Sequence, residues 1–273
     1  MPHIAKPLSI ALLALASFTP AFAEAPSPAP TASPAAAVAT LPPVPLPFQP
    51  EEFGPKSDAE RALLQQIAEA MAGISQQGST LPVEDQKLDA FRRFFTEFPA
   101  GKFRPVAVGG FVKLMKSRKK TEDLLGVANE LATKDPSPEK SDIALLMLKH
   151  YIGLGTPQTP GASKGDPAKA IAVLDEQARS TNPEVAWRGL VGAVQLMSGV
   201  GQRQQALERL EKRGDKDLTP AQQLQREYTL ARILHEESAQ LKGEERTKLQ
   251  DRVLGLLQKV TAACTKDPKA NAS

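Results

Sequence analysis

Residues 166–197, DPAKAIAVLDEQARSTNPEVAWRGLVGAVQLM, decide the fold. They predict two helices joined by a sharp corner. Asp166 is placed to cap the first helix, and Pro167 suits its first position, where a missing N–H costs nothing. Ala170, Leu174 and Ala178 follow at i, i+4 and i+8, on one helical face. Ser180-Thr181-Asn182-Pro183 stops that helix and caps the next. Trp187, Leu190, Val194 and Met197 then form a second apolar stripe. Two such helices cannot bury both apolar faces against each other alone, so the pair requires similar neighbours.

The flanking sequence supplies them. Upstream, Ser57-Asp58-Ala59-Glu60 reads as a capping box before Leu63, Leu64, Ile67, Met71 and Ile74, with Gln76-Gln77-Gly78 as the stop. A helix from about Val83 to Phe98 carries Leu88, Phe91, Phe95 and Phe98 on one side. The next, from about Arg104, carries Val108, Phe111, Val112 and Met115. Its Gly109-Gly110 pair costs about 1 kcal/mol per Gly relative to Ala and so points to close approach by a neighbouring helix. Leu124, Ala128 and Leu131 follow on one face, then Ile143, Leu145, Leu146, Leu148 and Ile152 after a start at Ser137-Pro138. Residues 156–165 read as a loop. Downstream, Ala206, Leu207 and Leu210 mark a short helix closed by Gly214. Thr219-Pro220-Ala221-Gln222 is a second capping box, opening a helix with Leu224, Tyr228, Ala231 and Leu234. The last helix, about 244–266, carries Leu249, Val253, Leu256, Leu257 and Val260, and residues 267–273 are a polar tail.

Pro corners separate these helices in pairs, at Asp135-Pro136, Asn182-Pro183, Thr219-Pro220 and Asp267-Pro268. Phe111, Leu124, Ala128, Leu148, Ala170, Leu174, Trp187, Leu190, Ala206, Leu210 and Tyr228 occupy recurring structural positions. In this the chain resembles degenerate tetratricopeptide repeats, helix–turn–helix units of about 34 residues. The best-spaced unit is Pro105 to Pro136, and the loop 156–165 counts as an insertion of roughly nine residues. The resemblance spans about 170 residues. It implies an all-α fold, a right-handed stack of antiparallel α-hairpins, with hairpins at 101–136, 138–181, 183–214 and 219–268 behind an N-terminal pair at 57–98. It also implies a concave groove for a protein or peptide, with no catalysis of its own.

The ends and the composition set the context. Residues 1–23 have the form of a signal peptide: Lys6, the apolar run Leu8–Ala16, and Ala21-Phe22-Ala23 as the cleavage site. The apolar run is well short of the roughly 20 residues that span a bilayer. The expectation is an exported chain, periplasmic or secreted, beginning at Glu24 and without a membrane span. Residues 24–50, dense in Pro and Ala, read as a disordered, extended linker before a repeat domain at 51–273. Losing Lys6 lowers Lys+Arg from 34 to 33 against 31 acids, a net charge of +2, which gives no argument for nucleic acid. Cys264 is the one cysteine, so no internal disulfide and no Cys-based metal site forms. Aromatics at 5% agree with an all-α chain.

A search for chemistry finds no catalytic, cofactor-binding or metal-ligating set. His235-Glu236-Glu237 does not continue to a second His, and no phosphate loop or nucleophile elbow occurs. His150, beside Tyr151 on an apolar helix, reads as a hydrogen-bonded structural histidine. The sequence therefore predicts an interaction scaffold with an unidentified protein or peptide partner. Self-association in envelope assembly is the alternative, and a secreted α-helical hydrolase comes behind both.

Overall fold

A computed structural model describes residues 44–153 and 165–266. The expected signal peptide, the linker up to residue 43, the inserted loop up to residue 164 and the tail from 267 lie outside the described residues. The packed unit begins at Val44. The described residues contain ten α-helices and no strand: α1 (Asp58–Met71), α2 (Val83–Glu97), α3 (Arg104–Ser117), α4 (Glu122–Thr133), α5 (Pro138–Tyr151), α6 (Pro167–Gln177), α7 (Pro183–Gly199), α8 (Arg203–Arg213), α9 (Pro220–Ser238) and α10 (Gly243–Lys266). The chain is all-α, as its sequence predicts.

Local chemistry starts the helices. Asp166 Oδ1 accepts from the N–H of Ala168 at 2.9 Å and of Lys169 at 3.3 Å, which sets the start of α6. Asn182 Oδ1 accepts from Glu184 at 3.0 Å and Val185 at 3.4 Å at the start of α7. Thr219 and Gln222 form the full reciprocal box at α9, with bonds of 3.2 and 3.0 Å. Each bond satisfies an N–H that the helix leaves without an internal acceptor. At α1 the box differs from expectation. Ser57 Oγ accepts from Glu60 N at 3.1 Å, but Glu60 Oε2 accepts from Lys56 N at 2.7 Å, one residue upstream of the cap. Glu60 is only 4% exposed, so its second oxygen is committed to the interior.

Two boundaries depart from the sequence reading. α1 stops at Met71, well before Gln76, because Gly73 takes φ +81° and the N–H of Ile74 returns to the carbonyl of Glu69 at 2.9 Å. This is the glycine-based helix stop in which the chain turns left-handed and closes the last carbonyls. Met71 is consequently exposed and Ile74 lies outside the helix. The other concerns the expected linker, which ran to residue 50. Phe48 and Pro50 of that stretch are buried in the body. Phe48 and Phe53, the latter in a 3-10 turn at Pro50–Phe53, stack on Phe103 with ring centroids 5.0 and 4.7 Å apart. Phe103 also meets Phe94 of α2 at 5.3 Å. Such edge and tilted ring contacts add about 0.5–1.5 kcal/mol per pair beyond the buried area. Phe48, near the end of the Pro-rich run, is therefore part of the packed body.

Packing is organised in alternation. α4 lies mainly against α5, α6 against α7, and α9 against α10, while α5 touches α7, α7 touches α9 and α4 touches α6. α7 stands in the middle, in contact with α5, α6, α8 and α9. Val185, Trp187, Val191, Ala193, Val194, Leu196 and Met197 are buried on it in nearly every direction. The α6–α7 approach is set by Gly189. A Cβ there would lie 2.5 Å from the N of Ala178 and 2.9 Å from the carbonyl O of Leu174, both backbone atoms of the opposing helix. At Gly110 a Cβ would fall 2.4 Å from the Phe91 ring, which is the close approach the glycine pair suggested. Gly109 beside it faces open space.

These two environments generate opposite outcomes. Gly189→Ala is expected to lower stability by about 1–3 kcal/mol, since two helix backbones must separate to admit the methyl group. Gly109→Ala should instead raise it by up to about 1 kcal/mol, through helix propensity alone. Thermal unfolding of both variants against the parent checks the pair; equal shifts would show that the α6–α7 contact at Gly189 is not tight.

Candidate functional site

Most of the positions singled out from the sequence are packing positions. Phe111, Leu124, Ala128, Leu148, Ala170, Leu174, Trp187, Ala206 and Leu210 are all buried, and Leu190 is half-buried against the same core. Tyr228 is different. It is 55% exposed, because the buried side of α9 is formed by Gln222, Thr229, Leu230, Ala231, Ile233, Leu234 and Ser238. Its placement on the apolar stripe with Leu224 and Ala231 does not describe this helix. Tyr228 sits one turn from Gln225 and from Arg232, on the side that faces outward.

That side continues across three helices. Because α7 is buried almost all round, it offers outward only a narrow strip containing Glu184, Arg188 and Gln195. α5 and α9 border it, and polar side chains stitch the three together. Arg188 Nη1 donates to Asp142 Oδ2 of α5 at 2.6 Å, and Arg188 Nε to Glu184 at 3.0 Å. Lys149 Nζ of α5 donates to Gln195 Oε1 at 2.9 Å. On the other flank, Trp187 Nε1 donates to Gln225 Oε1 at 2.6 Å and Gln222 Nε2 to Glu184 Oε2 at 3.0 Å. Ser198 Oγ donates to Glu236 Oε2 at 3.0 Å, and Arg203 and Arg232 approach the same carboxylate at 3.5 and 3.8 Å. Leu146 and Tyr228 stand exposed beside these bridges.

The electrostatics of the face are uneven. For Arg188, burial works against the charge, but Asp142 and Glu184 outweigh it and hold its pKa above the ordinary value. Lys149 moves the other way. Burial lowers its pKa, the nearby Arg232 charge lowers it further, and Asp142 opposes both. His150, next on α5, is also held below its ordinary value, first by burial and then by Lys116 of α3. Its buried Nδ1 has no hydrogen-bond partner among the described residues. Lys149 and Arg232 thus approach one end of α7 from α5 and α9, and Lys116 of α3 acts on His150 beside Lys149.

The remaining candidates carry less. An open cleft of about 220 Å³ lies between the end of α2 and the α4–α5 corner, lined by Thr96, Glu130, Leu131, Lys134, Asp135 and Lys140. Its two lysines face two acids, and Glu130 is already paired with Arg92. Cys264 is free and half-buried, and His235 is exposed. Among the described residues no group of three or more His, Cys, Asp or Glu side chains is arranged to hold a metal ion, and no helix is long and apolar enough to cross a membrane. The outward face of α5, α7 and α9 was not identified from the sequence. Its residues are polar positions on three helices, and nothing local tells which polar side turns toward which neighbour. Compared with protein-family models, curated proteins and solved structures, the chain finds no match.

The His150 environment sets a direction for pH dependence. A histidine whose folded pKa lies below 6.5 binds fewer protons in the folded chain than in the unfolded one. Its destabilising effect is absent at neutral pH, develops as the pH falls below about 6.5, and is complete below the folded value. Stability of His150→Gln relative to the parent should therefore rise as the pH is lowered from 7.5 toward about 5. Denaturant midpoints across that range check it; a pH-independent difference would mean that His150 titrates alike in both states.

Proposed function

We propose that the chain is an exported helical-repeat scaffold that binds a protein or peptide on the outward face of α5, α7 and α9 and performs no catalysis of its own. On this reading the helices form a tetratricopeptide-like stack of α-hairpins, and residues 1–43 carry the signal peptide and the tether that place it in the periplasm or outside the cell.

One observation carries the reading. Side-chain bridges between alternate helices recur along the chain at separations of 34 to 46 residues, four of them at 38. Arg92 and Glu130 link α2 to α4 across 38 residues, and Trp187–Gln225, Glu184–Gln222 and Ser198–Glu236 link α7 to α9, each across 38. Asp175 and Arg209 link α6 to α8 across 34, and Glu211 and Arg252 link α8 to α10 across 41. The two α5–α7 bridges, Asp142–Arg188 and Lys149–Gln195, span 46 and straddle the stretch that reads as an insertion. A recurring step close to the 34 residues of a helix–turn–helix unit is what stacked repeats produce, since equivalent helices of successive units lie side by side. Stacks of this kind use one layer of equivalent helices as a binding surface. The exposed Leu146 and Tyr228, set among Lys149, Gln195 and Arg232, give this layer both apolar and charged contacts. Tyr is enriched at such positions because it gives large contact area at low entropic cost.

Self-association is the second reading, favoured by Leu254 and Leu257, which stand 57% and 38% exposed on the terminal helix α10. A photo-crosslinking residue placed at Tyr228 in the full-length chain, and separately at Lys212 and Leu254, distinguishes the two in the native envelope. The scaffold reading predicts a discrete adduct with another protein from position 228 and none from Lys212. Adducts of the chain with itself from position 254 alone would support self-association, and no adduct from 228 would remove the scaffold reading.

A further inference from the structure

We infer that the partner segment is an acidic, extended peptide, held by Lys116, Lys149 and Arg232 across the α3–α5–α7–α9 side. This rests on the scaffold reading and names the chemistry of what the scaffold binds.

The geometry begins on α7. Gln195 and Ser198 lie one turn apart on that helix. Gln195 takes Lys149 from α5 at 2.9 Å, and Ser198 holds Glu236 of α9 at 3.0 Å. Arg232 lies one turn from Glu236 on α9 and reaches it at 3.8 Å. Lys149 and Arg232 therefore converge from opposite flanks on the same end of α7. Their charges are only partly offset there, Lys149 by the Asp142 charge and Arg232 by Glu236. Lys149 is bonded to a neutral amide, and among the described residues neither it nor Lys116 has a carboxylate within ion-pair distance. Glu236 is shared by Arg232 and Arg203, which leaves that trio positive. Burial lowers the pKa of Lys149 first and the Arg232 charge lowers it further against Asp142, while His150 is lowered by burial and then by Lys116, as neighbouring cations produce.

The same face argues against a continuous polyanion. Asp142, Glu184 and Glu236 lie between and beside the cations, so a nucleic-acid backbone or an anionic lipid surface would meet repulsion as well as attraction. The chain as a whole carries a net charge of only +3. A peptide can place a carboxylate at each cation and a neutral or apolar residue elsewhere, which suits Leu146 and Tyr228. Packed helices stand about 8–10 Å apart, and because Lys149 and Arg232 reach over the same end of α7 from its two sides, their charged heads stand about one spacing apart, as Lys116 does from Lys149. At about 3.3 Å per extended residue, these spacings correspond to acids about three residues apart.

The test uses a labelled peptide with Glu at its first, fourth and seventh positions in an Ala/Ser background, its Glu→Gln counterpart, phosphatidylglycerol vesicles and polyuridylate, each titrated against the full-length chain. The Glu peptide is expected to bind in a salt-sensitive manner and the Gln peptide to bind at least about tenfold more weakly. Lys149→Gln/Arg232→Gln, shown by circular dichroism to be folded, should lose about the same factor for the Glu peptide, and Lys116→Gln alone a smaller one. Lys169→Gln/Lys212→Gln, on α6 and α8, should bind like the parent. Equal binding of the Glu and Gln peptides, no binding of either, or an equal loss in the α6/α8 variant would overturn the inference. So would vesicles or polyuridylate binding through Lys149 and Arg232 when the peptide does not. If the peptide fails while the crosslink at 228 still captures a partner, the scaffold stands and the acidic specificity alone is lost.

Discussion

The backbone-to-backbone approach of α7 to α6 at Gly189 is the contact on which the rest of this structure depends. With no side chain at 189, the Cα of α7 can sit against the carbonyl of Leu174 and the N–H of Ala178. That closeness buries Leu174, and it leaves the other sides of α7 free to take α5, α8 and α9, with Trp187 turned to Gln225 of α9. A helix surrounded in this way has little surface left. What remains of α7 outward is a strip of polar residues, and every one of them is tied to a neighbouring helix. The interaction face is thus a consequence of how deeply its central helix is buried.

The polar bridges on that face contribute differently from the core. Surface ion pairs are worth about 0–1 kcal/mol each, so Asp142–Arg188 adds little to stability, and the Lys149–Gln195 hydrogen bond is of the same order. Their effect is on register. Each fixes which turn of one helix lies beside which turn of the next, and the spacing of exposed groups follows from that. Truncating a buried apolar side chain in the core costs about 2–5 kcal/mol, which is why the stack is held by Leu174, Trp187 and Leu210 and only aligned by its charges.

Much of the local structure is legible in the sequence. Asp166, Ser137, Asn182 and Thr219 cap helices where expected, because a cap needs only a short side chain and the N–H groups two or three residues on. The apolar positions from Phe111 to Leu210 fall inside for the same reason of short-range periodicity. What could not be read depends on distant partners. Glu60 turns inward to Lys56 N instead of completing the box at Ser57. Phe48 belongs to the body because Phe103 and Phe53 are there to receive it. Gly189 and Gly110 are pressed by neighbours and Gly109 is not, although adjacent glycines look alike in sequence. Tyr228 reads as apolar and helical in phase, yet the core side of α9 lies on the arc from Thr229 to Leu234. The face of α5, α7 and α9 exists only once those helices are packed, so no stretch of the chain announces it.

The central claim is that α5 and α9 flank α7 in one layer and turn their exposed residues to the same side. It is tested most directly by the distance between spin labels introduced as Leu146→Cys and Tyr228→Cys in a Cys264→Ser background. Two helix spacings of about 9 Å, with the reach of the labels, predict a single narrow distribution within about 15–30 Å. A broad distribution, or one centred beyond about 35 Å, would contradict the side-by-side layer.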